Sequence, residues 1–153
     1  METLPIPCEH DAFALMAGMP DIETVRALES MLLQLPQVNI ETQHMLHAGM
    51  YARTIFIPAG VMATGANLSL DSVGILFGDI TVTTDEGTQR LTGFNVLSAS
   101  KGHKRAGIAN SDTWWTTVFR TDATTVDEAE KSITSESDML LSRKLLKDTL
   151  CLD

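Results

Sequence analysis

From Gly49 to Arg120 the chain is a series of short β-prone runs separated by turn residues; the one long connection, 58–72, is broken by Pro58, Gly60 and Gly65, and the others are too short for a helix. Parallel neighbours need crossovers of about a dozen residues or more, so a parallel sheet is excluded and an antiparallel sandwich or small barrel remains. The runs are Tyr51–Ile57, ending at Pro58-Ala59-Gly60, then Val73–Phe77 and Ile80–Thr83, with Gly78-Asp79 as a bulge or tight bend between them. Asp85-Glu86-Gly87 is a hairpin signal, and Gln89–Leu91 returns from it. Phe94–Ser98, Lys104–Ala109 and Trp114–Arg120 complete the set. Period-two alternation puts Ile80 and Val82 on one face, with Thr81 and Thr83 on the other.

The flanks read differently. Asp21 is a fair N-cap, Val25, Leu28, Leu32 and Leu35 share one helical face, and Pro36 ends the helix. The Met-rich stretch 12–19, with Met16 and Met19, reads as core or interface filler, as does Met31. Thr125–Glu128 has the form of a capping box. Val126, Ala129 and Ile133 follow as an apolar stripe, Ser135–Asp138 interrupts it, and Met139–Lys147 resumes it with Leu140, Leu141, Leu145 and Leu146. Three parts result: a helical arm over 1–40, a β-barrel over 41–122 and a second helical arm over 123–153.

Charge divides the chain in the same way. The net charge is −9. Residues 1–40 contribute −5 and residues 121–153 contribute −4, so the centre is neutral. This argues against nucleic acid as a partner, because binding to phosphates draws on clustered basic side chains. The amino terminus lacks the basic and apolar regions of a signal peptide, and no apolar run reaches the roughly 20 residues of a membrane span. A soluble protein made in a cytoplasm is expected, with no membrane partner. Cys8 and Cys151, at opposite ends, read as reduced thiols unless the fold brings them together.

The order of elements in the centre resembles the cupin double-stranded β-helix, a jelly-roll barrel. Ile57-Pro58-Ala59-Gly60 matches one family element, and Leu76-Phe77-Gly78-Asp79 matches another. Residues 42–125 are also similar to small cupin-like proteins encoded by tailed phages and prophages. That likeness is carried by Tyr51-Ala52-Arg53, Thr64-Gly65, Leu91-Thr92-Gly93, Lys104-Arg105-Ala106-Gly107 and Asp112–Thr117. The resemblance implies a mainly β fold with helical arms, and a dimer formed through sheet faces. In metal-dependent cupins two histidines and a carboxylate come from the first motif and a further histidine from the second. Here Asp71 stands where the carboxylate would be, but Gly65, Asn67 and Leu68 occupy the histidine region. His103 lies near the second-motif position, out of register, and His44 and His47 lie upstream as surface or strand-edge residues. An open metal site normally needs three well-placed protein ligands, so no metal and no cofactor is expected.

No Ser/His/Asp or Cys/His arrangement and no phosphate-binding glycine loop is present, so no catalytic residue is assigned. Candidate ligand-binding residues remain. Alternation points Arg53 inward with Ile55 and Ile57, and an inward arginine needs an anionic partner: Asp71 or an anionic ligand. Lys101, Lys104 and Arg105 form a basic cluster on a turn, read as solvated. Trp114 and Trp115 face opposite sides of the sheet, one as core and the other as a platform or interface anchor, and Trp115 is the candidate for the ligand. The leading expectation is a non-enzymatic, phage- or prophage-encoded structural or interaction protein. It would act as a homodimer or higher oligomer, touch other phage or host proteins, and reside in the host cytoplasm or the virion. The alternative is a protein that binds an anionic sugar or nucleotide, either as a metal-independent enzyme or to sequester its ligand.

Overall fold

The structure, a computed structural model, describes residues 22–84 and 87–140. Cys8, Cys151, the Met-rich stretch, Asp21, Asp85-Glu86 and the helix expected beyond residue 140 lie outside them. The elements in order are α1 (Ile22–Leu32), β1 (Thr42–His47), β2 (Met50–Ile57), β3 (Met62–Thr64), β4 (Ser72–Thr84), β5 (Gly87–Ala99), β6 (Ala106–Ala109), β7 (Thr113–Arg120) and α2 (Val126–Ile133). A 3₁₀ turn follows at Ser137–Met139.

All strands pair antiparallel. The long strand β4 organises them. Its first half, Val73–Phe77, pairs with β7, and its second half, Ile80–Val82, pairs with β6. Strand β5 follows β4 along its whole length on the other side. Two leaves result, β1-β2-β7-β4-β5 and β3-β6-β4-β5, which share one bent hairpin. This is the pairing of a jelly roll.

Glycine makes the bend possible. Gly78 has φ 148° and pairs with Gly93 at φ 72°. A Cβ at Gly78 would lie 2.5 Å from the Thr113 hydroxyl and 2.8 Å from the Asp112 carbonyl oxygen. The two runs expected on either side of Gly78 are therefore one strand, and the same is true of β5. Strands β1 and β3 were not legible as strands. The polar residues of β1 alternate only between half-buried and exposed, and β3 is three residues long.

The space between the leaves is filled. Ile57, Leu76, Ile80, Val82, Leu91 and Ala109 form the core with Ile40, and Ile55, Val61, Leu97 and Trp115 pack against it. On the outer face of the second leaf, Val25 and Leu28 of α1 pack on Ala106 and Ile108. Helix α1 stops at Leu32, where the Gln37 side-chain amide donates to the carbonyls of Leu32 and Leu35, both at 2.8 Å. Leu35 is therefore exposed rather than on the buried helical face expected for it. At the far end of the first leaf, Ala129 and Ile133 of α2 close over Tyr51 and Phe119. The Thr125 hydroxyl caps α2 by accepting from the Glu128 amide, while the Glu128 carboxylate accepts from Thr124.

Candidate functional site

Three features of this scaffold carry chemistry. The first is a polar cluster on the inner face of the first leaf. The register places His44 opposite Arg53 and Arg53 opposite Thr117, with Leu46, Tyr51 and Phe119 on the next rung. Arg53 thus points inward, as its alternation with Ile55 and Ile57 requires. Its counter-charge is not Asp71. Asp71 is exposed and accepts from the Lys101 backbone amide at 2.8 Å, which caps the 100–103 turn. The facing carboxylate is Glu130 of α2, which is only 3% exposed. One Glu130 oxygen lies 3.8 Å from His44 Nδ1, and that nitrogen is 2.7 Å from the Tyr51 hydroxyl.

His44 therefore turns to the inner face of the edge strand β1, where it is half-buried rather than on the surface. Burial holds its imidazole below the ordinary value, against the raising effect of Glu130, and the Arg53 charge adds to the lowering. Burial also lowers the Arg53 guanidinium, opposed by Tyr51 and Glu130. The Arg53 Nε and the Ser72 hydroxyl are buried without a hydrogen-bond partner. Sequence reasoning did not single out Glu130, because nothing local to the helix records where it docks.

The second feature is Lys104. Far from being solvated, its side chain is 1% exposed. Its ammonium donates to the Gly65 carbonyl at 2.8 Å and to Glu136 at 2.9 Å, and it lies 2.9 Å from Glu29. The expectation of a solvated turn failed because one acid arrives from each flank, Glu29 from α1 and Glu136 from beyond α2. Burial alone would raise the Glu136 carboxyl, but the Asn67 amide, Lys104 and Arg26 outweigh it and hold the group below the ordinary range. Thr64 donates to Glu29 at 2.8 Å, and the Asn67 backbone amide donates to Glu136 at 2.9 Å. Arg105 is half-buried and lines a surface cleft of about 200 Å³ with His103 and Ile22.

The Lys104 clamp joins the two segments that carry the metal ligands in the resemblance, residues 65–67 and 103–104. The residues present do not fit a metal. A buried ammonium lies against Gly65 and the Asn67–Glu136 pair and would repel a second cation, and Asp71 is turned outward. His47 is exposed at the end of β1, apart from the inward-facing His44. Among the described residues no three His, Cys, Asp or Glu side chains converge as metal ligands would.

The third feature is the outer face of the first leaf. Trp115 points inward against the core, with its indole nitrogen 3.4 Å from where a Cβ on Gly74 would sit. Trp114 points outward and packs on Phe56, with ring centroids 4.9 Å apart, and on Phe77 at 6.2 Å. On the same face Phe77 and Phe94 share its rung, Val96 and Met45 lie farther along the strands, and all four are more than half exposed. A cleft of about 200 Å³ lies beside Trp114, lined by Glu41, Gln43, Thr54 and Phe56.

The strand order just described is of jelly-roll type. The fold is mainly β, a curled antiparallel sheet with two short helices. No protein-family profile and no curated protein sequence matches the chain. Solved structures similar to it include KdgF from Halomonas sp., at 16% identity and TM-score 0.46 over 56% of this chain and 81% of that one. A cupin superfamily protein from Desulfitobacterium hafniense is similar at 14% identity and TM-score 0.47, over 61% of this chain and 87% of that one. A cupin 2 conserved barrel domain protein from Leptotrichia buccalis is similar at 10% identity and TM-score 0.48, over 66% and 50%. Among the described residues no helix is long and apolar enough to cross a membrane.

Proposed function

We propose that this chain is a non-enzymatic cupin-fold interaction protein that pairs with a second copy of itself through the outer face of its first leaf. The observation that carries this reading is the exposed apolar surface of Met45, Phe77, Phe94, Val96 and Trp114. Contiguous apolar patches of this kind mark interaction sites. On β1, β2, β7 and the Val73–Phe77 half of β4 the one outward residue with a formal charge is Arg120, at the margin, and Glu41 borders the cleft beside Trp114. Two copies of a chain with net charge −9 repel each other least where they meet on a neutral face. A two-fold pairing presents the same patch on both sides, so one self-complementary surface suffices. Five strands spaced about 4.8 Å apart and roughly 25 Å long give a face of the order of 600 Å² in projection, near the ~800 Å² per partner of a standard interface.

The phage-type resemblance extends the reading. The chain is phage- or prophage-encoded, resides in the host cytoplasm or the virion, and offers its acidic arms to further phage or host proteins. The pairing is tested by hydroxyl-radical footprinting at low and high protein concentration. Trp114, Phe77 and Phe94 are expected to become protected at high concentration while Met31 on α1 is unchanged. Equal reactivity of all four at every concentration would overturn the reading.

A further inference from the structure

We infer that the inner end of the first leaf is a carboxylate-recognition site that the chain fills with its own Glu130, so that α2 acts as a built-in ligand. The barrel wall at this end supplies donors: the Arg53 guanidinium, the Tyr51 hydroxyl, the His44 ring, and the hydroxyls of Thr117 and Ser72. None of the inward residues of β1, β2, β7 and the first half of β4 is acidic. A guanidinium buried by such a wall needs an anion, and the strands do not provide one. The anion comes instead from a separable element. Helix α2 has eight residues, inserts Glu130 between two apolar anchors, Ala129 and Ile133, and exposes Asp127, Glu128 and Lys131.

The site's donors also exceed what its occupant uses. The Arg53 Nε and the Ser72 hydroxyl stay buried and unpartnered with Glu130 in place. A carboxylate-bearing small molecule or peptide terminus that displaced the helix would meet the same guanidinium and gain access to these two groups. Occupation in cis and opening in trans are then two states of one site.

Acetate serves as the probe, compared with chloride at equal ionic strength. In the full-length Glu130→Ala variant, about 100 mM acetate is expected to raise Tm by roughly 3 °C over chloride, since a ligand specific to the folded state stabilises it by mass action. Adding Arg53→Met is expected to abolish the difference. Wild-type protein gives an independent reading. High acetate is expected to accelerate amide hydrogen exchange across Ala129–Ile133, as external carboxylate competes with Glu130, with the Val73–Phe77 amides unaffected. An acetate effect that equals that of chloride in Glu130→Ala, or survives Arg53→Met, would contradict the inference. So would unchanged exchange in the wild-type helix, a result that holds even where the variant does not fold.

Discussion

Asp79 follows the bend at Gly78 and accepts three hydrogen bonds from two side chains. Arg90 donates to both of its oxygens, at 2.9 and 2.5 Å, and the Asn110 amide adds a third bond at 2.9 Å. These hydrogen bonds bring its carboxyl from the ordinary 3.8 to about 2. A carboxylate with a depressed folded-state value stabilises the fold fully above the unfolded value, and this contribution fades as pH falls toward the folded one. NMR titration of the Asp79 carboxyl should therefore give an inflection near 2, and Arg90→Ala should move it upward toward the ordinary value. An unmoved inflection in the variant would remove Arg90 as the main cause. At this scale period-two alternation made the direction of Arg53 legible, because a strand leaves only two choices of face. The buried state of Lys104 and the inward turn of His44 were not legible. Their partners Glu29, Glu136 and Glu130 lie on helical arms, and no local pattern in a strand records which helix will cover it.

At the scale of elements, the β4–β5 hairpin works as one bent ribbon only because Gly78 has no side chain. Gly78→Ala would force a methyl group against Thr113 and the Asp112 carbonyl at a positive φ. A loss of roughly 3 kcal/mol or more in urea unfolding is expected, and a loss under about 0.5 kcal/mol would show that the bend tolerates a Cβ. The Lys104 clamp ties both arms to the barrel through a single ammonium. Lys104→Met should cost about 3 kcal/mol, because it leaves two carboxylates crowded together without their cation. Restoring part of that loss with Glu29→Gln would assign the cost to charge rather than packing. The ends of the elements were the least legible feature. Helix α1 stops short of Pro36, where the Gln37 side chain takes up the Leu32 carbonyl at its end, and propensity does not encode that contact.

For the whole molecule, the charge and the apolar surface are segregated. The acidic excess belongs to the arms, while the outer face of the first leaf is largely apolar, with Glu41 and Arg120 at its margins. The antiparallel jelly roll was legible as a whole because short runs without crossovers leave few alternatives. Which of the two tryptophans faces outward was not, since alternation fixes only that they differ and the sheet's inner face is set by distant pairings. Self-association through the outward face is the central claim, and sedimentation equilibrium across a wide concentration range tests it most directly. Wild-type protein is expected to have twice the 16.7 kDa chain mass, and Phe94→Asp is expected to have the single-chain mass with its Tm retained. A wild-type protein that stays at the single-chain mass at every concentration would contradict the account.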